Sequence, residues 1–298
     1  MDHIVIDNLT RRYGPRVGVE GLSLRVPSGT VFGFLGPNGA GKTTTIRVLL
    51  GFLRPTAGRA RIFGRDCWRD THVIKGEVGY MPGDLRLYPW MTGADGLQIF
   101  GRVRGRDLRT PGAELADRFG LDLDVPAKAM SRGMRQKLGL ILALVHEPKL
   151  LILDEPTASL DPLMQDRLNQ HLRELAARGH TVFFSSHSLS EVEQLCDRVA
   201  ILRNGKLVAD ESLDSLRTRV HRDVVIRWPS GDAAATTEPP GCLDVDLREG
   251  RYWQGSLRGP MSELVSWLAG RQVSDLTIAP PDLESLFRRY YKEESGEP

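Results

Sequence analysis

The 298-residue sequence carries 40 Lys and Arg against 38 Asp and Glu, a formal net charge of +2, and is 41% hydrophobic. This suits one large domain, or one domain plus a small appendage, around a real core. The near-neutral balance makes no case for nucleic acid or an anionic membrane surface as partner. Three scattered cysteines, Cys67, Cys196 and Cys242, lack C-x-x-C spacing, which argues against a disulfide scaffold or zinc site and for a reducing cytosol.

The chain opens Met1-Asp2-His3-Ile4, without the basic and long apolar regions of a signal peptide. Ile4-Val5-Ile6, Leu22-Ser23-Leu24-Arg25-Val26 and Val31–Leu35 read as strands, parted by turn signals at Tyr13-Gly14-Pro15 and Pro27-Ser28-Gly29. Next comes Gly36-Pro37-Asn38-Gly39-Ala40-Gly41-Lys42-Thr43-Thr44, which fits G-x-x-x-x-G-K-[ST]. A helix-like run, Ile46-Arg47-Val48-Leu49-Leu50, follows and is expected to extend to near Pro55. Glycines let successive backbone N–H groups curl around a polyphosphate, and the helix points its positive end at the same anion. Gly36, Asn38, Gly39, Ala40, Gly41, Lys42, Thr43 and Thr44 are therefore the candidate phosphate-binding positions for a nucleoside triphosphate. In this motif Lys42 reaches the β- and γ-phosphates and the Thr43 hydroxyl is a Mg²⁺ ligand.

Residues 59–63 and 78–81 look like further strands, and from about residue 84 to 146 the periodicity turns helical. Arginine-rich stretches such as Arg102-Val103-Arg104-Gly105-Arg106 read as solvated surface. The longest apolar stretch, 138–145, falls far short of the roughly 20 residues that span a bilayer, so a soluble chain is expected, with any membrane role supplied by a partner. Two apolar strands follow, at 150–153 and 181–185, with a helix over Pro162–Ala177 between them. Strands alternating with helices imply an α/β fold with a mainly parallel sheet covered on both faces. Beyond about residue 220 the character changes. A loop-like stretch at 229–241 is flanked by strand candidates at 224–228, 251–253 and 272–278 and helix candidates at Met261–Ala269 and 282–291. The expected division is thus 1–219, with a helical insertion at about 84–146, and a small α+β appendage at 220–298.

Leu150-Leu151-Ile152-Leu153-Asp154-Glu155-Pro156 ends a buried strand in two carboxylates. Strand C-termini beside a phosphate loop are where ligands sit in open α/β sheets. Asp154 is placed to hold the Mg²⁺ shell, and Glu155 to polarise a water for in-line attack. The same pair before a proline can also act as a helix N-cap.

Taken together these segments resemble ATP-binding cassette (ABC) proteins, over about residues 3–215. Asp154-Glu155-Pro156-Thr157-Ala158-Ser159-Leu160-Asp161-Pro162 is similar to the family's joined Walker B and D-loop. Met130-Ser131-Arg132-Gly133-Met134-Arg135-Gln136-Lys137 resembles its signature, Ser185-Ser186-His187 its switch histidine, and Tyr13 its adenine-stacking aromatic. The resemblance implies a P-loop NTPase sheet with an inserted helical subdomain and an N-terminal antiparallel β element. It also implies a homodimer sandwiching two ATP and Mg²⁺, with Ser131, Gly133 and Asp161 of one copy facing the nucleotide of the other. Lys42, Glu155 and His187 are its catalytic candidates. Arg132 and Met134 depart from the usual Leu-Ser-Gly-Gly-Gln, and the Q-loop glutamine, expected after Pro82, is Gly83. Asp84 is either its substitute or part of a turn. Tyr88 and Trp90 either pack in the helical block or line the family's groove for a membrane subunit.

The implied activity is that of an ATPase subunit powering a separate transmembrane permease, cytoplasmic and peripheral on the inner face of the membrane. The signature region and the tail at 282–291 are similar to bacterial drug- and antibiotic-export ATPases, which implies export of a drug-like or lipid-like compound. The alternative is a soluble ABC ATPase acting on nucleic acid or the ribosome, whose usual long coiled-coil insertion, zinc modules or paired cassettes are not found in the sequence. A small-molecule P-loop kinase is a further alternative.

Overall fold

In chain order the first unit contains β1 (Asp2–Tyr13), β2 (Arg16–Pro27), β3 (Val31–Leu35), α1 (Lys42–Leu49), β4 (Ala57–Ile62), β5 (Arg65–Asp66), α2 (Thr71–Glu77) and β6 (Val78–Met81). Then follow α3 (Gly93–Arg104), α4 (Arg109–Phe119), a 3₁₀ turn (Ala127–Ala129), α5 (Arg132–Leu144), β7 (Leu150–Asp154), α6 (Pro162–Ala177), β8 (Thr181–Ser186), α7 (Leu189–Leu195), β9 (Arg198–Arg203) and β10 (Lys206–Ser212). The computed structural model describes residues 1–219 and 222–279. Its first compact unit is Met1–Leu213 and the second begins at Asp214.

The N-terminal strands are longer than their apolar cores suggest. β1 and β2 pair as a hairpin whose register slips at several points, and β1 also pairs with β4, giving an antiparallel sheet in the order β2-β1-β4-β5. The larger sheet runs β10-β9-β3-β8-β7-β6, parallel except for β10 at one edge. β3, β7 and β8 are buried along their whole length, as strands covered on both faces must be. One apolar core joins the two sheets: Ile46, Val48 and Leu49 of α1 pack among Ile4 and Ile6 on one side and Phe34, Ile152 and Phe183 on the other.

α1 ends at Leu49, well short of Pro55. Gly51 takes φ 65°, and the hydroxyl of Thr71 donates to the Leu50 carbonyl at 3.0 Å, so a residue twenty-one positions on ends the helix. Between Met81 and Leu150 the described residues form helices and no strand. α3 begins in a capping box, with Thr92 and Asp95 exchanging hydrogen bonds, and closes on Gly105 in the left-handed region. Tyr88 and Trp90 are not core residues: they are 67% and 62% exposed and stack on one another at 5.8 Å.

The second unit contains α8 (Leu213–Arg219), which starts at the boundary, then β11 (Arg222–Arg227), α9 (Gly231–Thr236), β12 (Leu243–Glu249), β13 (Tyr252–Leu257), α10 (Met261–Ala269) and β14 (Asp275–Ile278). Its antiparallel sheet runs β12-β13-β11-β14. Trp228, Trp253 and Leu264 anchor a separate core, with Trp228 edge-on to Trp253 at 5.0 Å. The stretch expected to be loop at 229–241 contains α9, and β12 was not anticipated. The helix expected at 282–291 lies outside the described residues.

Candidate functional site

Order in the larger sheet places the site. β3 lies between β8 and β9, so its C-terminal end opens beside those of β8 and β7, the kind of crevice that takes ligands in doubly wound sheets. The loop from β3 to α1 fills that crevice. Gly41 has φ 108°, and a side chain there would also meet the Gly18 carbonyl at 2.5 Å, so only glycine fits.

Tyr13, Arg16, Pro37, Asn38, Gly39, Gly41, Lys42, Thr43, Thr44, Arg47 and Glu155 line a cleft of about 460 Å³. Gly36 and Ala40 belong to the same loop but lie behind its lining: a side chain at 36 would meet the Leu202 carbonyl at 2.5 Å, and Ala40 is buried. The Lys42 ammonium is buried and donates to the carbonyls of Gly36 (2.5 Å) and Pro37 (3.2 Å). Its Nζ lies 3.6 Å from Glu155 Oε1. Burial holds this ammonium below the usual lysine range, while the nearby carboxylates of Glu155 and then Asp154 oppose that shift. Tyr13 is half-exposed at the cleft mouth, its hydroxyl 3.5 Å from Thr44 Oγ1 and the Arg11 guanidinium over its ring.

Asp154 is only 3% exposed and holds two hydroxyls. Thr43 Oγ1 donates to its Oδ2 at 3.0 Å and Ser185 Oγ to its Oδ1 at 2.6 Å, so neighbouring strand ends and the phosphate loop meet on one carboxylate. The phenol of Tyr80, buried and near Asp154, is pushed up to about 12 and stays neutral. Glu155 leaves the strand at φ 50°, a left-handed conformation unfavourable for a residue with a Cβ. That turn swings its carboxylate to Lys42 on one side and to His187 Nδ1, at 3.5 Å, on the other. His187 is mostly exposed.

The signature residues occupy a different place. Ser131 caps α5, its hydroxyl accepting from Met134 N at 3.2 Å, and a side chain at Gly133 would come within 3.0 Å of the Ser159 carbonyl. Asp161 caps α6, accepting from Met164 N at 2.9 Å. None of Ser131, Gly133 and Asp161 lines the cleft of its own chain. Gly83 packs on the Walker B strand end, where a Cβ would stand 3.2 Å from the Asp154 carbonyl. Asp84 is 76% exposed and pairs with Arg86 at 3.0 Å.

Sequence reasoning did not single out Ser185, Gln136, Arg16 or Arg47. Ser185 and Gln136 stood inside motif stretches, but their roles depend on which backbone atoms the fold brings to them. A larger cavity, about 740 Å³, lies between α4, α5 and α6. It holds His146 and His171, and two ion pairs lie on its wall, Arg118 with Glu174 and Arg178 with Glu147.

Comparison with known proteins agrees with this geometry. Residues 19–158 match the family described as "ABC transporter". An uncharacterised ABC transporter ATP-binding protein of Nostoc sp. is 37% identical over 291 residues, covering 91% of this chain and 82% of its own. The daunorubicin resistance ATP-binding protein DrrA3 of Streptomyces coeruleorubidus is 34% identical, covering 95% and 94%. A solved ATP-binding subunit of an ABC transporter superposes with a TM-score of 0.68 at 30% identity, covering 72% of this chain and 91% of that one. The phosphate-loop cleft, the paired carboxylates and these likenesses lead to one assignment: the chain belongs to the ABC transporter family, as its ATP-binding, ATP-hydrolysing subunit.

Proposed function

We propose that this cassette drives a separate membrane permease that exports drug-like or lipid-like compounds, and that it does so as a homodimer enclosing two ATP. The observation that carries the ATPase half is the meeting of Lys42, Asp154, Glu155 and His187 around one phosphate cleft. Tyr13 stacks on the adenine, and the N–H groups from Gly36 to Thr44 cradle the phosphates. Lys42 gives up its contacts to the Gly36 and Pro37 carbonyls for the β- and γ-phosphates.

Thr43 and Asp154 offer hydroxyl and carboxylate oxygens, the hard donors that Mg²⁺ takes. A Mg²⁺ held by Thr43 and Asp154 would neutralise phosphate charge. Glu155 accepts a proton from the attacking water, whose oxygen bonds to the γ-phosphorus as the bond to the β-phosphate oxygen breaks. The products are ADP and inorganic phosphate. His187 orients the Glu155 carboxylate and donates to the γ-phosphate.

Ser131, Gly133 and Asp161 lie outside their own cleft and are assigned to the nucleotide of the facing copy. Closure on ATP and reopening after hydrolysis move the permease between states. No helix among the described residues is long and apolar enough to cross a membrane; in this reading the chain sits on the inner membrane face through its partner. The exposed, stacked Tyr88 and Trp90 on the helical block suit contact with that partner. Likeness to a daunorubicin resistance protein over nearly the full length favours export over the nucleic-acid or ribosome alternative. The test is Glu155→Gln: phosphate release falls at least about 100-fold while ATP affinity holds. Retained turnover would remove Glu155 from the role of base.

A further inference from the structure

Within the described site Glu155 must be held in an unfavourable backbone conformation, and what holds it comes from the helix that bears the signature. Gln136, the fifth residue of α5, is 5% exposed. Its side-chain amide donates to the carbonyl of Glu155 at 3.1 Å and to that of Pro156 at 3.0 Å. The Glu155 carbonyl also accepts from Ala158 N at 3.3 Å. The loop so clamped has left-handed residues at both ends, Glu155 at φ 50° and Ser159 at φ 72°. Its far end lies against the same helix, where the place of a Gly133 Cβ is 3.0 Å from the Ser159 carbonyl.

We infer that Gln136 is a positioning residue that fixes the backbone of Glu155, and with it the carboxylate, while tying the signature helix to the hydrolysis site of its own chain. The inference rests on Glu155 being the base. If the amide merely satisfied stray carbonyls, any fold-preserving change would leave turnover alone. If it positions Glu155, the peptide relaxes from the left-handed region once the two donors are gone. The carboxylate then leaves its place 3.6 Å from Lys42 and 3.5 Å from His187. Misplacing a catalytic group by about 1 Å costs on the order of 100-fold in rate.

The geometry also couples two functions. Ser131 and Gly133, assigned above to the nucleotide of a facing copy, stand at the start of α5, and Gln136 reaches the local Walker B carbonyls one turn later. A displacement of that helix on dimer closure is therefore passed to the local Glu155 directly, without a side chain at position 83.

The experiment is a double-mutant cycle on the full chain with Gln136→Met, which keeps the length and removes both donors, and Glu155→Gln. Phosphate release, the KM for ATP and ATP affinity are measured for each. Gln136→Met alone is expected to lower kcat about 10- to 100-fold with KM within about twofold, because the nucleotide contacts lie elsewhere. In the Glu155→Gln background it should cause no further loss, since it acts through that carboxylate. Full activity in Gln136→Met beside an inactive Glu155→Gln overturns the inference and leaves the base in place. An active Glu155→Gln overturns the reading of the base instead. An additive loss, or a KM rise with kcat unchanged, makes Gln136 structural. Should Gln136→Met fail to fold, Gln136→Asn enters the same cycle; it keeps the amide but is one methylene too short to span both carbonyls, and the same outcomes decide.

Discussion

Ser185→Ala is the perturbation whose size follows most directly from the structure. The Ser185 hydroxyl is fully buried, donates to Asp154 Oδ1 at 2.6 Å and accepts from Glu155 N at 3.1 Å. Glu155 N keeps a second acceptor in the substitution, the Ser185 carbonyl at 3.1 Å. Asp154 does not fare so well: Oδ1 loses its hydroxyl donor, and Thr43 on Oδ2 is the remaining partner among those described. A hydrogen bond to a charged group contributes about 1.5–3 kcal/mol, so a loss near 2 kcal/mol is expected. In a unit of this size that lowers the melting temperature by about 4–8 °C. The same change frees the carboxylate to rotate away from Thr43, so half-saturation of ATPase activity by Mg²⁺ should rise several-fold. Thermal unfolding followed by circular dichroism, with phosphate release titrated against Mg²⁺, reads both effects. A melting temperature within about 1 °C of the parent protein, together with an unmoved Mg²⁺ midpoint, would refute the reasoning.

Two other expectations concern groups outside the cleft lining. Asp84→Ala should leave ATPase turnover within about twofold, because this carboxylate is exposed and paired with Arg86, where its loss costs little; a larger fall would establish Asp84 as the stand-in for the missing glutamine. His146 and His171 are both held down to about 4, by burial first and then by Arg104 and Arg118 respectively, with Glu174 opposing the shift at His171. Unfolded histidines take up protons below about 6.5 while these two stay neutral, so their contribution is intact above that pH. It is lost as pH falls from about 6.5 to about 4, by roughly 1.4 kcal/mol per pH unit for each. Denaturant melts across that window should show the slope, and His171→Phe should roughly halve it; a flat profile would contradict the buried neutral state.

The parts of the fold that the sequence announced are those governed by local chemistry. Pro162 at the start and leucines at 163, 168, 172 and 175 delimit α6 at Pro162–Ala177 from pattern alone, and the structure adds Asp161 as its cap. The phosphate loop was legible because few backbones besides a glycine turn can wrap a polyphosphate. What escaped depends on distant partners. α1 ends where Thr71 reaches back to Leu50, whereas the apolar residues Phe52 and Leu53 suggest continuation. β12, with the composition Leu-Asp-Val-Asp-Leu-Arg-Glu, owes its strand state to pairing with β13 through a register shift. By composition Tyr88 and Trp90 fit either the core of the helical block or an exposed groove, and only the finished block leaves both mostly exposed. At the site, Lys42, Asp154 and Glu155 could be named from motif order, but the clamp by Gln136 and the bond from Ser185 connect side chains to atoms far along the chain.

The central claim is that each nucleotide is enclosed between the phosphate loop of one copy and the signature of another. Light scattering of Glu155→Gln with Mg²⁺ and ATP tests it most directly. Hydrolysis is blocked there, while Lys42, Thr43 and the signature residues are untouched. A shift from the mass of one chain to that of two on adding ATP, reversed by exchange into ADP, is the predicted result. A variant that binds ATP and stays monomeric at concentrations well above its ATP dissociation constant would contradict the sandwich.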